Sequence, residues 1–207
     1  MKIVRIGEVG LEHAAQEAAQ VLSKGGIVLY PTETLYGLGV DATNPKALRD
    51  LYRLKNRDLH KTALIAAGSP ADIEQYGVMN TTAHALAERF LPGSLTLVLP
   101  ATERALEGII RDDGTVGVRV PSDPFCVALA RQFKGAYTST SANISTLPPA
   151  GSVQDILAQF GESASAISLV IDDGERRQGT PSTIVSCVTE TSVILREGAL
   201  SREELGL

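Results

Sequence analysis

The sequence predicts an α/β fold: one mixed parallel and antiparallel sheet flanked by helices. Short apolar runs alternate with helical patterns through most of the chain, the order that lays helices over a sheet. Three extended segments then succeed one another near the C-terminal end, which adds antiparallel pairing. With 207 residues, 43% hydrophobic and 21% charged, the chain has enough apolar surface for a well-buried core, and residues 1–207 read as one domain. The stretch Thr146–Gly151 is the nearest thing to a linker, but the residues beyond it have the pattern of sheet.

In order, Lys2–Ile6 is expected as a strand. Leu11–Lys24 comes next as a helix with apolar positions Leu11, Ala14, Ala15, Ala18, Val21 and Leu22, stopped by Gly25 and Gly26. Ile27–Tyr30 is an apolar strand, and Pro31 to Gly39 a loop. Asn44 before Pro45 is a cap and a first-turn proline, opening a helix through about Leu54. Thr62–Ala67 is a strand, with short helices at Pro70–Tyr76 and Thr81–Phe90. Ser94–Leu99 and Thr115–Val120 alternate as strands. Pro124–Phe133 is a helix, Ala136–Ser141 a strand and Val153–Phe160 a helix. The extended segments are Ile167–Ile171, Ser182–Val188 and Val193–Arg196.

No apolar run reaches the roughly 18 to 20 residues of a spanning helix, and the N-terminus lacks a signal-like stretch, so the expected location is cytoplasmic. Cys126 and Cys187 have no CxxC spacing and read as reduced, buried thiols. His13, His60 and His84 are scattered, and neither a His-Glu-x-x-His motif nor a Gly-x-x-x-x-Gly-Lys-Ser/Thr loop occurs. Gly37-Leu-Gly39 imitates a dinucleotide fingerprint, but the next helix starts only after Asn44. These glycines are better read as permitting a tight backbone path.

The net charge of −5 argues against a surface that clings to nucleic acid as a whole. Within it, residues 46–61 carry six Lys and Arg (Lys46, Arg49, Arg53, Lys55, Arg57, Lys61) against Asp50 and Asp58. Lys55, Arg57 and Lys61 cannot share one helix face, yet beyond the helix end they can converge on a polyanion such as a triphosphate. Three further elements are candidates for ligand contact. Pro31-Thr-Glu-Thr34 leaves an apolar strand as a polar loop, where α/β sheets bind ligands. Thr138-Ser-Thr-Ser-Ala-Asn143 ends a strand in a row of hydroxyls. Arg119, in the middle of an apolar strand, requires an anion, either an internal carboxylate or a substrate's.

Six blocks in order carry a resemblance: Pro31-Thr-Glu-Thr-Leu-Tyr-Gly-Leu-Gly39, Lys55-x-Arg57, Leu91-Pro-Gly-Ser-Leu-Thr-Leu-Val-Leu-Pro100, Gly117-Val-Arg-Val-Pro121, Ser139-Thr-Ser-Ala-Asn143 and Pro181-Ser-Thr-Ile-Val185. Over roughly residues 10–200 the chain resembles the YrdC/TsaC-like threonylcarbamoyl-AMP synthases, of the short, single-domain type. The resemblance implies a twisted mixed sheet and a nucleotidyltransferase that uses L-threonine, bicarbonate or CO2, and ATP, with Mg2+ expected on the triphosphate, and that releases pyrophosphate. It implies tRNA or double-stranded RNA as partners, and downstream proteins that move the threonylcarbamoyl group onto tRNA. By position, Thr34, Arg119, Ser139 and Ser182 resemble threonine contacts. Lys55, Arg57, Lys61, Thr115, Ser141, Asn143 and Arg196 resemble the ATP set, with Lys55 and Arg57 acting on the phosphates. No metal ligand is assigned. On this reading Lys55→Ala and Arg57→Ala lower turnover and leave the fold intact.

Departures from the pattern are Asp58 where many members have proline, Ala66 where longer members have histidine, Ser186 in place of aspartate, and Ile144 to Thr146 in place of a Ser-Gly ending. Ala66 and Asp58 leave strictness for threonine open. The alternative is an RNA-binding or regulatory relative without the chemistry, against which stands the joint presence of Lys55, Arg57, Ser141 and Asn143.

Overall fold

Asn44 opens one helix and ends the first long loop: its side chain accepts from the backbone of Lys46 and Ala47, each at 3.1 Å, with Pro45 at the first helical position. The computed structural model describes all residues except 58–61, 106 and 177–178, and the backbone alone at 107. The expectations for Asp58, His60 and Lys61 therefore lie outside the described residues.

The strands are β1 (Lys2–Arg5), β2 (Ile27–Tyr30), β3 (Gly37–Gly39), β4 (Leu64–Ala66), β5 (Leu95–Pro100), β6 (Thr115–Arg119), β7 (Tyr137–Ser141), β8 (Ile167–Asp172), β9 (Thr183–Ser186) and β10 (Val193–Arg196). The α-helices are α1 (Ile6–Val9), α2 (Leu11–Ser23), α3 (Pro45–Leu54), α4 (Thr81–Phe90), α5 (Pro124–Phe133), α6 (Val153–Phe160) and α7 (Arg202–Leu205). Pro70–Gln75 is a 3₁₀ turn where a short helix is expected. Three short elements depart from the sequence reading: β3 inside the expected loop, and the four-residue α1 and α7.

The strands form one sheet in the order β1-β8-β2-β3-β7-β4-β6-β5-β9-β10. The pairs β1/β8, β2/β8, β4/β6 and β5/β9 are parallel. The pairs β2/β3, β3/β7, β4/β7, β5/β6 and β9/β10 are antiparallel. The sheet is mixed, as expected, but most antiparallel pairing sits in its middle rather than in the C-terminal segments. β3 can join because it has almost no side chain to place. A Cβ on Gly39 would lie 2.7 Å from the Thr138 carbonyl oxygen and 2.9 Å from the Tyr30 ring. Only glycine allows that approach.

Both faces of the sheet are packed. On one, α3, α4 and α6 cover Leu29, Leu38, Ile65, Leu97 and Val118. On the other, α2 and α5 bury Ala14, Ala15, Ala18, Leu22, Phe125 and Leu129 against Val28, Tyr30, Ala66 and Tyr137. The alanines of α2 let α5 approach closely, and each fully buried Leu or Phe contributes about 1.5–3 kcal/mol. The second layer does not cover the whole sheet. Successive strand residues point to opposite faces, so Leu64 shares its face with Ala66, and Ser139 and Ser141 share theirs with Tyr137. Leu64, Ser139 and Ser141 line an open cleft beyond the helices. Cys126 and Cys187 are free and buried, and no described helix is long and apolar enough to cross a membrane.

Candidate active site

The cleft encloses about 380 Å³ over strands β3, β7, β4, β6, β9 and β10. Four arginines line it: Arg57, Arg111, Arg119 and Arg196. None of its described lining residues carries a carboxylate. Hydroxyls supply the rest of its polarity, from Thr32, Thr34, Thr62, Ser139, Thr140, Ser141 and Ser182, and from Tyr36. The surface suits a polyanion beside a small polar molecule.

Arg57 reaches the cleft because of how α3 ends. Asn56 takes the left-handed conformation, φ 46°. The N–H of Arg57 bonds the Tyr52 carbonyl and that of Asn56 the Arg53 carbonyl, both at 3.0 Å, which is a Schellman closure. Arg57 thereby leaves the helix face. Its Nη1 donates to Thr140 Oγ1 at 2.8 Å and its Nη2 to the Thr62 carbonyl at 2.6 Å, fixing the guanidinium across β7 and the start of β4. Burial lowers its pKa, as it does those of Arg119 and Arg196; desolvation is the leading cause in each.

Lys55 behaves differently. It is 1% exposed and does not line the cleft. Its Nζ donates to the carbonyls of Ser141 and, at 2.7 Å, Asn143, while its own carbonyl accepts from Ser145 N at 3.0 Å. Burial, with the nearby Arg57 adding to it, pushes its pKa down to about 7. As a neutral amine it still has two N–H donors for its two carbonyls. Lys55 is thus a strap beneath the cleft floor, and the expectation that its removal leaves the fold intact does not fit this geometry. Asn143 lies behind the floor as well, its amide spent on the carbonyls of Ile144 (3.0 Å) and Leu147 (2.6 Å), while Ser141 faces the cleft. Thr115 is 4% exposed, its hydroxyl on Asp113 Oδ1 at 2.5 Å, and it is not in the lining.

The four residues read as a threonine set, Thr34, Arg119, Ser139 and Ser182, all line the cleft. Thr32 spends its hydroxyl on its own turn, accepting from Thr34 N (3.2 Å) and Leu35 N (3.1 Å) and donating to the Leu35 carbonyl at 2.5 Å. That turn leaves Thr34 Oγ1 3.3 Å from Nη1 of Arg119. Arg119 Nε donates to the Gly93 carbonyl at 3.1 Å, and its Nη2 pairs with Glu33. The anion that Arg119 requires is, in this structure, internal. Across the cleft, Arg196 Nη2 donates to the Ser182 carbonyl at 2.7 Å, and the Ser182 hydroxyl lies 2.9 Å from that of Thr96. The segment after β8 closes over the loop: Arg176 pairs with Asp123 at 3.1 Å, Tyr36 donates to the Gly174 carbonyl at 2.8 Å, and a Cβ on Gly179 would overlap the Thr34 carbonyl oxygen.

Sequence reasoning missed Arg111 and Tyr36 as lining residues. Arg111 stands on the turn into β6, eight positions before Arg119, and a cation at a hairpin end carries no pattern of its own. Among the described residues no group of three or more His, Cys, Asp or Glu could hold a metal ion.

The fold and cleft define an α/β protein with a cationic, hydroxyl-rich ligand cleft on an otherwise helix-covered sheet. The chain belongs to the Sua5/YciO/YrdC family, whose model, described as "Telomere recombination", matches residues 20–198. It is 31% identical over 191 residues to a threonylcarbamoyl-AMP synthase of Bacillus subtilis, covering 91% of this chain and 54% of that one. A threonylcarbamoyl-AMP synthase of Thiobacillus denitrificans is 37% identical, with 81% and 88% covered. The chain thus spans about half the length of the first relative and most of the second. Among solved structures, Pyrococcus abyssi Sua5 complexed with L-threonine superposes with a TM-score of 0.89 at 33% identity, over 99% of this chain and 59% of that one. Escherichia coli YciO, at 22% identity and a TM-score of 0.84, shares the fold.

Proposed function

We propose that the chain is an L-threonylcarbamoyladenylate synthase, and that residues 1–207 act as one unit in this reaction. One observation carries the reading: a threonine-type set (Thr34, Arg119, Ser139, Ser182) and a phosphate-type set (Arg57, Ser141, Arg196) share a single cleft. The synthase names of the relatives support ATP as substrate, and the threonine complex of the Pyrococcus relative supports L-threonine.

The neutral amine of threonine adds to CO2 and releases a proton to solvent, or condenses with bicarbonate and releases water, and a carbamate results. A carbamate oxygen attacks the α-phosphorus of ATP, the bond to the β-phosphate oxygen breaks, and pyrophosphate leaves. Such a transfer depends on alignment and on stabilising charge at the phosphates more than on a strong base. Arg57 and Arg196 supply that charge, and the hydroxyls of Ser139 and Ser182 hold the amino acid. Mg2+ on the triphosphate would add positive charge at the phosphates. Lys55 contributes by keeping the Ser141–Asn143 backbone in place. The product is a labile activated carbamate, to be passed to proteins that modify tRNA.

The test is to incubate purified protein with ATP, L-threonine and bicarbonate and to separate the nucleotides by chromatography. The threonylcarbamoyl adenylate is expected only when all three are present. Folded protein that yields none contradicts the proposal.

A further inference from the structure

Three of the four arginines that line the cleft are committed to the protein itself. Arg57 is held by Thr140 and Thr62, Arg119 by Gly93, Thr34 and Glu33, and Arg196 by Ser182. Arg111 differs. Its side chain is 43% exposed, and no described residue accepts a hydrogen bond from it. Asp113 Oδ1 stands 3.9 Å from its Nε, and that oxygen already accepts from the N–H and the hydroxyl of Thr115. The five N–H donors of this guanidinium are therefore left for a ligand in the cleft.

The strand registers show which end of the cleft Arg111 serves. Leu64 pairs with Ser139 on β7, and Ile65 with Val118 on β6. Continued back along the chain, these registers set Thr62 level with Ser141 on one side and with Thr115 on the other. Arg57 grips Thr62 and Thr140, and the backbone N–H of Arg111 bonds the Thr115 carbonyl at 2.8 Å. Arg57, Ser141 and Arg111 thus gather at one end. Arg119 and Thr34 mark the other, about 13 Å along β6 at 3.3 Å per residue.

We propose that Arg111 binds the β- and γ-phosphates of ATP, the part that leaves as pyrophosphate. The inference rests on the proposed synthase reading of the cleft. With the carbamate at the Arg119 end, in-line displacement at the α-phosphorus directs the leaving oxygen away from the amino acid, towards Arg57 and Arg111. As the bond to that oxygen breaks, negative charge passes to the β-phosphate. Arg111 can turn its fork onto this charge without giving up a hydrogen bond inside the described structure.

The experiment titrates ATP, inorganic pyrophosphate and AMP into wild-type and Arg111→Ala protein by calorimetry, at one fixed Mg2+ concentration. The variant is expected to fold as the wild type does, with an unchanged thermal midpoint. It should bind ATP and pyrophosphate about tenfold more weakly, the size of one charge-assisted hydrogen bond, and AMP within about twofold of wild type. Arg111→Lys, which keeps the charge and loses the fork, is expected to fall between the two. If AMP is weakened as much as ATP, Arg111 acts on the nucleotide as a whole and the proposal is overturned. Unchanged binding of ATP and pyrophosphate overturns it too. Wild-type protein that binds neither of them overturns the synthase reading itself, a result distinguishable from either of those.

Discussion

Lys46, Arg49 and Arg53 belong to the same basic stretch as Lys55 and Arg57, and the two groups meet opposite environments. The first three stay on the outer face of α3: the Lys46 and Arg53 side chains are 79% and 80% exposed, and both lean on Asp50, at 2.7 and 3.7 Å. The last two flank the left-handed Asn56 of the Schellman turn and go inward, Lys55 as the cap residue to 1% exposure beneath the cleft and Arg57 into its wall. A surplus of positive charge within residues 46–61 therefore does not mark one phosphate-facing patch. The position of each cation relative to the helix end decides whether it is solvated, structural or ligand-facing.

The largest effect that sharpens this contrast is on stability. Lys55→Met leaves the Asn143 carbonyl without its donor and removes one of the two donors to the Ser141 carbonyl, which keeps the N–H of Asn143 at 3.0 Å; at about 1–3 kcal/mol for a lost partner, the loss is on the order of 3 kcal/mol. A thermal melt should show the midpoint lowered by roughly 6–12 °C; an unchanged midpoint would return Lys55 to the role of a free phosphate ligand. Next is Arg57→Ala, expected to reduce turnover about a hundredfold. Activity per folded molecule is the readout, and a loss explained entirely by unfolding would make Arg57 structural.

Gly179→Ala ranks third, because its Cβ would overlap the Thr34 carbonyl and push the loop that presents Thr34. An increase of about tenfold in KM for L-threonine, with KM for ATP little changed, is expected, on the order of 1.4 kcal/mol. The pH dependence comes fourth. The folded-state pKa of Lys55 is about 7 against an ordinary lysine value of 10.5, so between these the unfolded chain binds more protons than the folded one. Stability relative to Lys55→Met should then be greatest above 10.5 and be lost progressively as pH falls from there to about 7. Urea midpoints at neutral and alkaline pH measure it, and a constant difference contradicts the assignment. Smallest is Arg53→Ala, expected within about 0.5 kcal/mol in stability and about twofold in turnover, as for an exposed ion pair.

Much of this architecture is legible in the sequence, because its helices carry their own punctuation. Asn44-Pro45 marks the start of α3, Asp123-Pro124 that of α5, and the apolar runs of β2, β5 and β6 mark themselves. β3 is not legible, since Gly-Leu-Gly has no alternation to show. α1 and α7 are too short for a helical period to register. Within the cleft, Thr34, Arg119 and Ser139 can be found because each breaks the character of its own segment, whereas Ser182 is found only through the resemblance carried by Pro181-Ser-Thr-Ile-Val185. Pairing across the chain is another matter. Lys55 answers to carbonyls 86 and 88 residues later, and Glu33 to an arginine 86 residues away. Only the order β3-β7-β4-β6 brings these together, and no local pattern encodes it. The same reason hides Arg111, whose place in the cleft depends on the β5–β6 pairing rather than on its neighbours.

On the proposed function, one cleft aligns an amino-acid carbamate with the α-phosphorus of ATP. Phosphorus-31 NMR of a reaction with ATP, L-threonine and bicarbonate reports which phosphorus is attacked. Pyrophosphate and a carbamic–phosphoric anhydride of AMP are expected in equal amounts, and only when threonine and bicarbonate are both present. Formation of ADP and inorganic phosphate instead, or an ATP spectrum that stays unchanged with folded protein, would contradict it.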